Sequence, residues 1–164
     1  MNLETDFDIR YSTMDDFRYL KEWFTDERAV DDYPFSEKEK EEALKNWIGF
    51  SKFKASLTGL LGDAPVAIGT LFLMPYRKVA HHCSFYLMVD PKYRRQGIGT
   101  MMVKNLINLA KTRFRLEAVH VEVFEPSGLI PILKKLHFVE IIRQQNFVKV
   151  HGESRARLVW EVRT

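Results

Sequence analysis

Apolar and polar residues alternate through Phe7-Asp8-Ile9-Arg10-Tyr11, the period of a half-buried strand. The spacing then lengthens. Phe17, Leu20, Trp23 and Phe24 recur three and four residues apart, behind the N-cap types Ser12 and Thr13 and the first-turn acids Asp15 and Asp16. Tyr33-Pro34-Phe35 breaks that pattern. Ser36 caps a second helix, with Glu37, Glu39 and Glu41 near its start and Leu44, Trp47 and Ile48 as its apolar stripe. Phe53 to Leu61 reads as a strand, Gly62-Asp63-Ala64-Pro65 as a turn, and Val66 to Met74 as the returning strand. His82 to Val89 is nearly all apolar towards its end, which predicts a central, buried strand.

A long helix follows from Gly97 to about Phe114, with Met101, Met102, Leu106, Ile107 and Ala110 inward. Ala118 to Phe124 is a β-branched strand, and Leu129 to Leu136 a short helix that begins near Pro131 or holds it in its first turn. Val139 to Val150 and Ala156 to Val162 form a closing hairpin around Gly152, with Arg155 and Arg157 turned outward on an edge strand. No repeat or linker interrupts the chain, so one domain is expected over residues 1–164. The order β-α-α-β-β-β-α-β-α-β-β predicts an α/β (α+β) fold. Its sheet should be mixed and mostly antiparallel, with about seven strands and about four flanking helices.

Composition narrows the function classes. The 25 basic and 22 acidic residues leave +3, too little to make nucleic acid the main partner. The single cysteine, Cys83, allows no internal disulfide and reads as core filler. Met1 to Arg10 has no charged-then-apolar leader pattern, and no stretch approaches about 18 apolar residues, so a cytoplasmic protein away from membranes is expected.

The chemistry lies where the central strand ends. Val89-Asp90-Pro91 leads into the basic loop Lys92-Tyr93-Arg94-Arg95-Gln96, and Gly97-Ile98-Gly99-Thr100 opens the long helix. Glycines admit a ligand close to the backbone, and the first amides of a helix point outward at the positive end of its dipole, so this is an anion site. A nucleoside-triphosphate loop would carry a Lys after its second glycine, which is missing here. A dinucleotide fingerprint would need glycine at position 102, which is Met. What remains is Arg-x-x-Gly-x-Gly at Arg94, Gly97 and Gly99.

With that motif, from Leu87 to Thr100, the chain resembles the GCN5-related N-acetyltransferase superfamily, and its element order follows the family throughout. The resemblance implies a sheet splayed at its centre and acetyl-CoA as co-substrate. Its pyrophosphate would be held by the amides of Arg95, Gln96, Gly97, Ile98, Gly99 and Thr100 beside Arg94, and its pantetheine arm would lie along Leu87, Met88 and Val89. It implies direct acetyl transfer to a primary amine, on a cationic small molecule or a peptide, with the Val89 amide polarising the thioester carbonyl. No metal is implied, and a homodimer is among the assemblies it allows.

The chain departs from the family at the acid and the base. The usual tyrosine position holds Leu133, the glycine before Phe138 is His137, and Glu125-Pro126-Ser127 replaces an expected Asn. Ser127 reads as a helix cap, leaving water as the proton source for the thiolate. The usual base position on the central strand holds Ser84, which leaves Glu122 and His82 as candidates. His120 shares a face with Glu122, and solvent is the expected surrounding of both. His81 and His82 should point opposite ways and make no metal pair. A non-catalytic acyl-CoA-binding module on the same fold therefore stays open. On the acceptor side, Asp31, Asp32 and Tyr33 would suit a cationic amine, against the alternative of a solvated acidic loop.

Overall fold

A short helix α1 (Leu3–Asp6) leads into strand β1 (Phe7–Tyr11), then helices α2 (Phe17–Trp23) and α3 (Lys40–Gly49). A meander follows: β2 (Ser56–Leu61), β3 (Ala64–Leu73) and β4 (His82–Val89). Helix α4 (Ile98–Thr112), strand β5 (Ala118–Glu125), helix α5 (Ile130–Lys135) and the hairpin β6 (Val139–Val150) and β7 (Glu153–Arg163) complete the chain. The structure is a computed structural model that describes residues 2–164; Met1, where the stretch read for a leader begins, lies outside them.

The seven strands form one sheet in the order β1-β2-β3-β4-β5-β7-β6, with β4 at its centre. Every pairing is antiparallel except β4 with β5. Helices α4 and α5 cover one face, where Met102, Leu106 and Leu133 join Leu71, Phe85 and Val121 in the larger core. Helices α2 and α3 cover the other, packing Leu20, Trp23, Phe24, Leu44, Trp47 and Ile48 onto Ile68 and Met88. Trp23, Trp47 and Cys83 are core residues as expected, and burial pushes the Cys83 thiol up to about 12.

The entry to α2 is held by a buried polar chain. The Asp16 carboxylate accepts from Arg10 at 2.7 and 2.9 Å, from the Thr13 amide at 3.0 Å and from the Thr58 hydroxyl at 2.9 Å. Burial works to raise its pKa, but these donors outweigh it and hold the carboxyl below the ordinary range.

Two expectations need correction. A fifth helix, α1, precedes the first strand; its four residues are too few to show a helical period. The edge of the sheet is β6, because β7 inserts between β5 and β6. Arg155 and Arg157 are therefore interior to the sheet order and spend their charge on partners described below.

Candidate active site

Strands β4 and β5 pair only over His82–Ser84 and Ala118–His120. Beyond Ser84 and His120 they part, leaving a gap at the centre of the sheet. The β3–β4 ladder fixes what β4 presents to it. The Asp90 amide bonds the Val66 carbonyl at 2.8 Å, and Val89 faces Ala67 in the register. In an antiparallel ladder bonded and unbonded pairs alternate. Met88 and Tyr86 therefore turn their backbone groups to β3, while Phe85, Leu87 and Val89 turn theirs into the gap. Of the three residues expected along a pantetheine arm, Leu87 and Val89 have main-chain groups so directed and Met88 does not; its side chain is buried with α2 and α3.

At the gap's end the chain turns through Asp90, whose carboxylate accepts from the Lys92 amide at 3.0 Å. Arg94 folds back, with Nε donating to the Val89 carbonyl at 3.3 Å. Arg95 and Gly97 both have positive φ, +62° and +86°. Glycine suits the second, since it heads α4 in the left-handed region. A Cβ at Gly99 would lie 2.9 Å from Ile132 Cδ1, so glycine there lets α5 close on the helix start. The first turn-to-turn bond of α4 is Met101 N–H to the Gly97 carbonyl. The amides of Ile98, Gly99 and Thr100 thus precede any helical acceptor and head a 15-residue helix with its positive dipole end.

On the α2–α3 face, a cavity of about 730 Å³ opens beside the gap. Its floor carries His82, Ser84 and Tyr86 from β4, His120 and Glu122 from β5, and Arg157 and Glu161 from β7; its walls include Phe35, Phe72, Met74, Val79, Ile141 and Ile142. Glu122 is ion-paired with Arg157, whose Nη1 also donates to Gln144 at 2.9 Å. His82 Nδ1 stands 3.8 Å from Glu161, and its ring centroid is 6.4 Å from that of His120. Burial, and then the proximity of His82, lower the His120 pKa against a smaller opposing pull from Glu161. Burial, and then the charge of Glu122, push the Tyr86 phenol up to about 12.

The connection between α2 and α3 forms a strap tied through Arg155 to the end of β5. Arg155 donates to the Asp31 carbonyl at 2.8 Å and the Asp32 carboxylate at 3.1 Å. It also donates to the carbonyls of Phe124, Glu125 and Pro126, at 2.8, 3.2 and 2.6 Å. Asp31 also faces His151 Nε2 at 3.1 Å. Tyr33, packed against Phe24, Phe35, Trp47 and Tyr86, sends its hydroxyl to the Leu87 carbonyl at 2.7 Å.

The candidates therefore fall into three groups. Arg95 to Thr100 form the helix head, and His82 and Glu122 share the cavity floor. Asp31 and Asp32 line no part of the cavity and belong to the strap, where Tyr33 reaches the gap. His120 lines the cavity with Glu122, against the expectation of solvent. The rings of His81 and His82 lie 4.2 Å apart because His81 precedes the strand. Ser127 Oγ accepts from the Leu129 amide at 3.2 Å, so it closes the turn before α5 rather than capping the helix, whose N-cap is Leu129. Tyr86 and Glu161 carry no sequence signal of their own, and Arg157 reads in the sequence only as an outward charge on an edge strand. Arg157, Val159 and Glu161 alternate along β7, but only its pairing with β5 turns them towards His120 and Glu122.

Comparison with known proteins bears on this arrangement. A family model described as the acetyltransferase (GNAT) family matches residues 17–138. No curated protein gives a match. A Salmonella typhimurium structure, described as an acetyltransferase with its cofactor acetyl-CoA, superposes with a TM-score of 0.79 at 12% identity, covering 97% of this chain and 94% of its own. A ribosomal-protein-alanine N-acetyltransferase from Brucella melitensis gives 0.78 at 17% identity, covering 95% and 99%. A GNAT acetyltransferase from Streptococcus pneumoniae gives 0.80 at 14% identity, covering 96% and 99%.

Proposed function

The chain belongs to the acetyltransferase (GNAT) family, and from that premise we propose that it moves an acetyl group from acetyl-CoA directly to a primary amine. The observation that carries this reading is the open gap between β4 and β5. It is bounded by the glycine-headed α4 at one end and by a cavity with titratable groups on the opposite face.

The amides of Arg95 to Thr100 bind the carrier's pyrophosphate, an anion matched to a helix start. Leu87 and Val89 supply main-chain partners for its pantetheine arm. The amine lies in the cavity, and its nitrogen attacks the thioester carbon through the gap. As the carbonyl oxygen becomes anionic, the Val89 amide stabilises it. The C–S bond then breaks with its electron pair on sulfur. Leu133, buried in the core, offers no proton, so the thiolate takes one from water.

The acceptor is an amine on a partly apolar body. The cavity walls are aromatic and aliphatic, Glu122 is neutralised by Arg157, and the acids of the strap are spent on Arg155 and His151. Both peptide amines and small amines remain within this class.

Thermal melts with coenzyme A, ATP or an oligonucleotide, followed by a thiol-release assay across an amine panel, test the reading. Stabilisation by coenzyme A together with turnover of at least one apolar amine is expected. Preference for ATP would overturn it, and coenzyme A binding without turnover of any amine would favour a non-catalytic module.

A further inference from the structure

We propose that His120 is the base that removes the proton of the attacking amine, with Glu161 and His82 as the residues that position and poise it. The proposal rests on reading the chain as an amine acetyltransferase.

His120 is the last residue of β5 paired to β4, so it stands at the vertex where the central strands part, and it lines the cavity. Among the described residues, neither of its ring nitrogens has a hydrogen-bond partner. The other candidates are engaged. Glu122 accepts from Arg157 Nε. Glu161 lies between His82 and Arg163, 3.8 Å from each. His82 faces that carboxylate with one nitrogen.

The groups facing His120 set its balance. From β4 come His82 and Tyr86, from its own strand Glu122, and from β7 Arg157 and Glu161, its direct register partner. Burial and His82 favour the neutral ring, while Glu161 favours the charged one. The neutral form prevails at neutral pH, leaving a lone pair free in a half-buried cavity. As the amine nitrogen bonds to the thioester carbon, its proton becomes acidic and passes to the imidazole. The imidazolium formed faces Glu161. The C–S electron pair leaves on sulfur, which is protonated by water, and the imidazolium returns its proton to solvent through the cavity mouth. The net change is one proton from nitrogen to sulfur.

The test measures kcat and kcat/KM against pH for an amine that the native enzyme acetylates. Variants are His120→Ala, His120→Gln, Glu161→Gln, His82→Gln and Glu122→Gln, with coenzyme A binding by calorimetry and thermal melts alongside. Both His120 variants should lose about a hundredfold or more in kcat, keep coenzyme A affinity and Tm, and lose the acid limb of the profile. That limb should lie below the ordinary imidazole value of about 6.5. Glu161→Gln should move it lower, by removing the charge that stabilises imidazolium, and His82→Gln should move it higher. If both His120 variants retain kcat to within roughly threefold and keep the limb, the assignment is wrong. So too if Glu122→Gln alone abolishes the limb. Should the native enzyme bind coenzyme A yet acetylate no amine, the acetyltransferase reading fails first and takes this one with it.

Discussion

The Tyr33 hydroxyl donates to the Leu87 carbonyl at 2.7 Å, tying the strap to β4 where that strand borders the central gap. Burial, and then the negative charge of Asp32, raise the Tyr33 pKa above its ordinary value. An acid with a raised folded pKa gives stability that is present below its unfolded value of about 10 and lost as pH climbs beyond it. Tyrosine absorbance should therefore show a late phase, containing Tyr33 and Tyr86, that is released only as the chain unfolds in alkali. Tyr33→Phe should remove one equivalent from that phase and cost about 1 kcal/mol at neutral pH. A titration with no late phase would show that the phenol is not held in this way.

Gly97 offers a separate handle on the helix head. Its φ is +86°, and a Cβ there would meet nothing within 4 Å. Gly97→Ala therefore introduces no clash, and its cost comes from left-handed backbone, about 1–2 kcal/mol. If that backbone holds the anion-binding amides in place, coenzyme A affinity should fall roughly tenfold while the acceptor KM stays constant. Calorimetry with coenzyme A reads the first and steady-state kinetics the second. Unchanged affinity would remove these amides from the binding account.

Arg155 joins five acceptors from two regions far apart in sequence. The planar fork of arginine fits this set, and lysine cannot reproduce it. Arg155→Lys should cost about 2 kcal/mol or more, a drop of roughly 4–8 °C in Tm for a chain of this length. Amide exchange should speed up in residues 26–35 first, because they lose their anchor to β5 and β7. A uniform rise in exchange would mean that the strap is not a separate unit.

How much of this was legible in the sequence follows the range of each interaction. The glycines at 97 and 99, the strand before them and the helix after them lie within a few residues, so the anion site could be read locally. The bounds of β4 and β6 were read directly from their pattern. The strap could not be read this way. Asp31 meets His151 across 120 positions, and its carbonyl meets Arg155 across 124. Without those partners, Asp26, Glu27, Asp31 and Asp32 look like an open charged loop. His120 and Glu122 show the same limit: alternation puts them on one face, but only the placement of α2, α3 and β7 makes that face a cavity.

The acceptor pocket gives the sharpest contrast between the two readings of the acidic connection. If Asp31 and Asp32 contacted a cationic amine, Asp31→Asn and Asp32→Asn would raise the acceptor KM and leave stability nearly untouched. The structure instead gives these side chains to His151 and Arg155, outside the cavity. Their replacement should lower Tm modestly and leave the acceptor KM within roughly twofold, since exposed pairs are worth about 0–1 kcal/mol. Ile142 lines the cavity and is 42% exposed at its rim. Ile142→Asp should barely affect folding there, yet it places an unpaired charge where an apolar body must dock, costing roughly 1–3 kcal/mol of acceptor binding. The acceptor KM should rise about tenfold or more while the KM for acetyl-CoA holds. The opposite result, a KM that follows Asp31 and Asp32 and ignores Ile142, would return the acidic loop to the amine and discard the apolar acceptor.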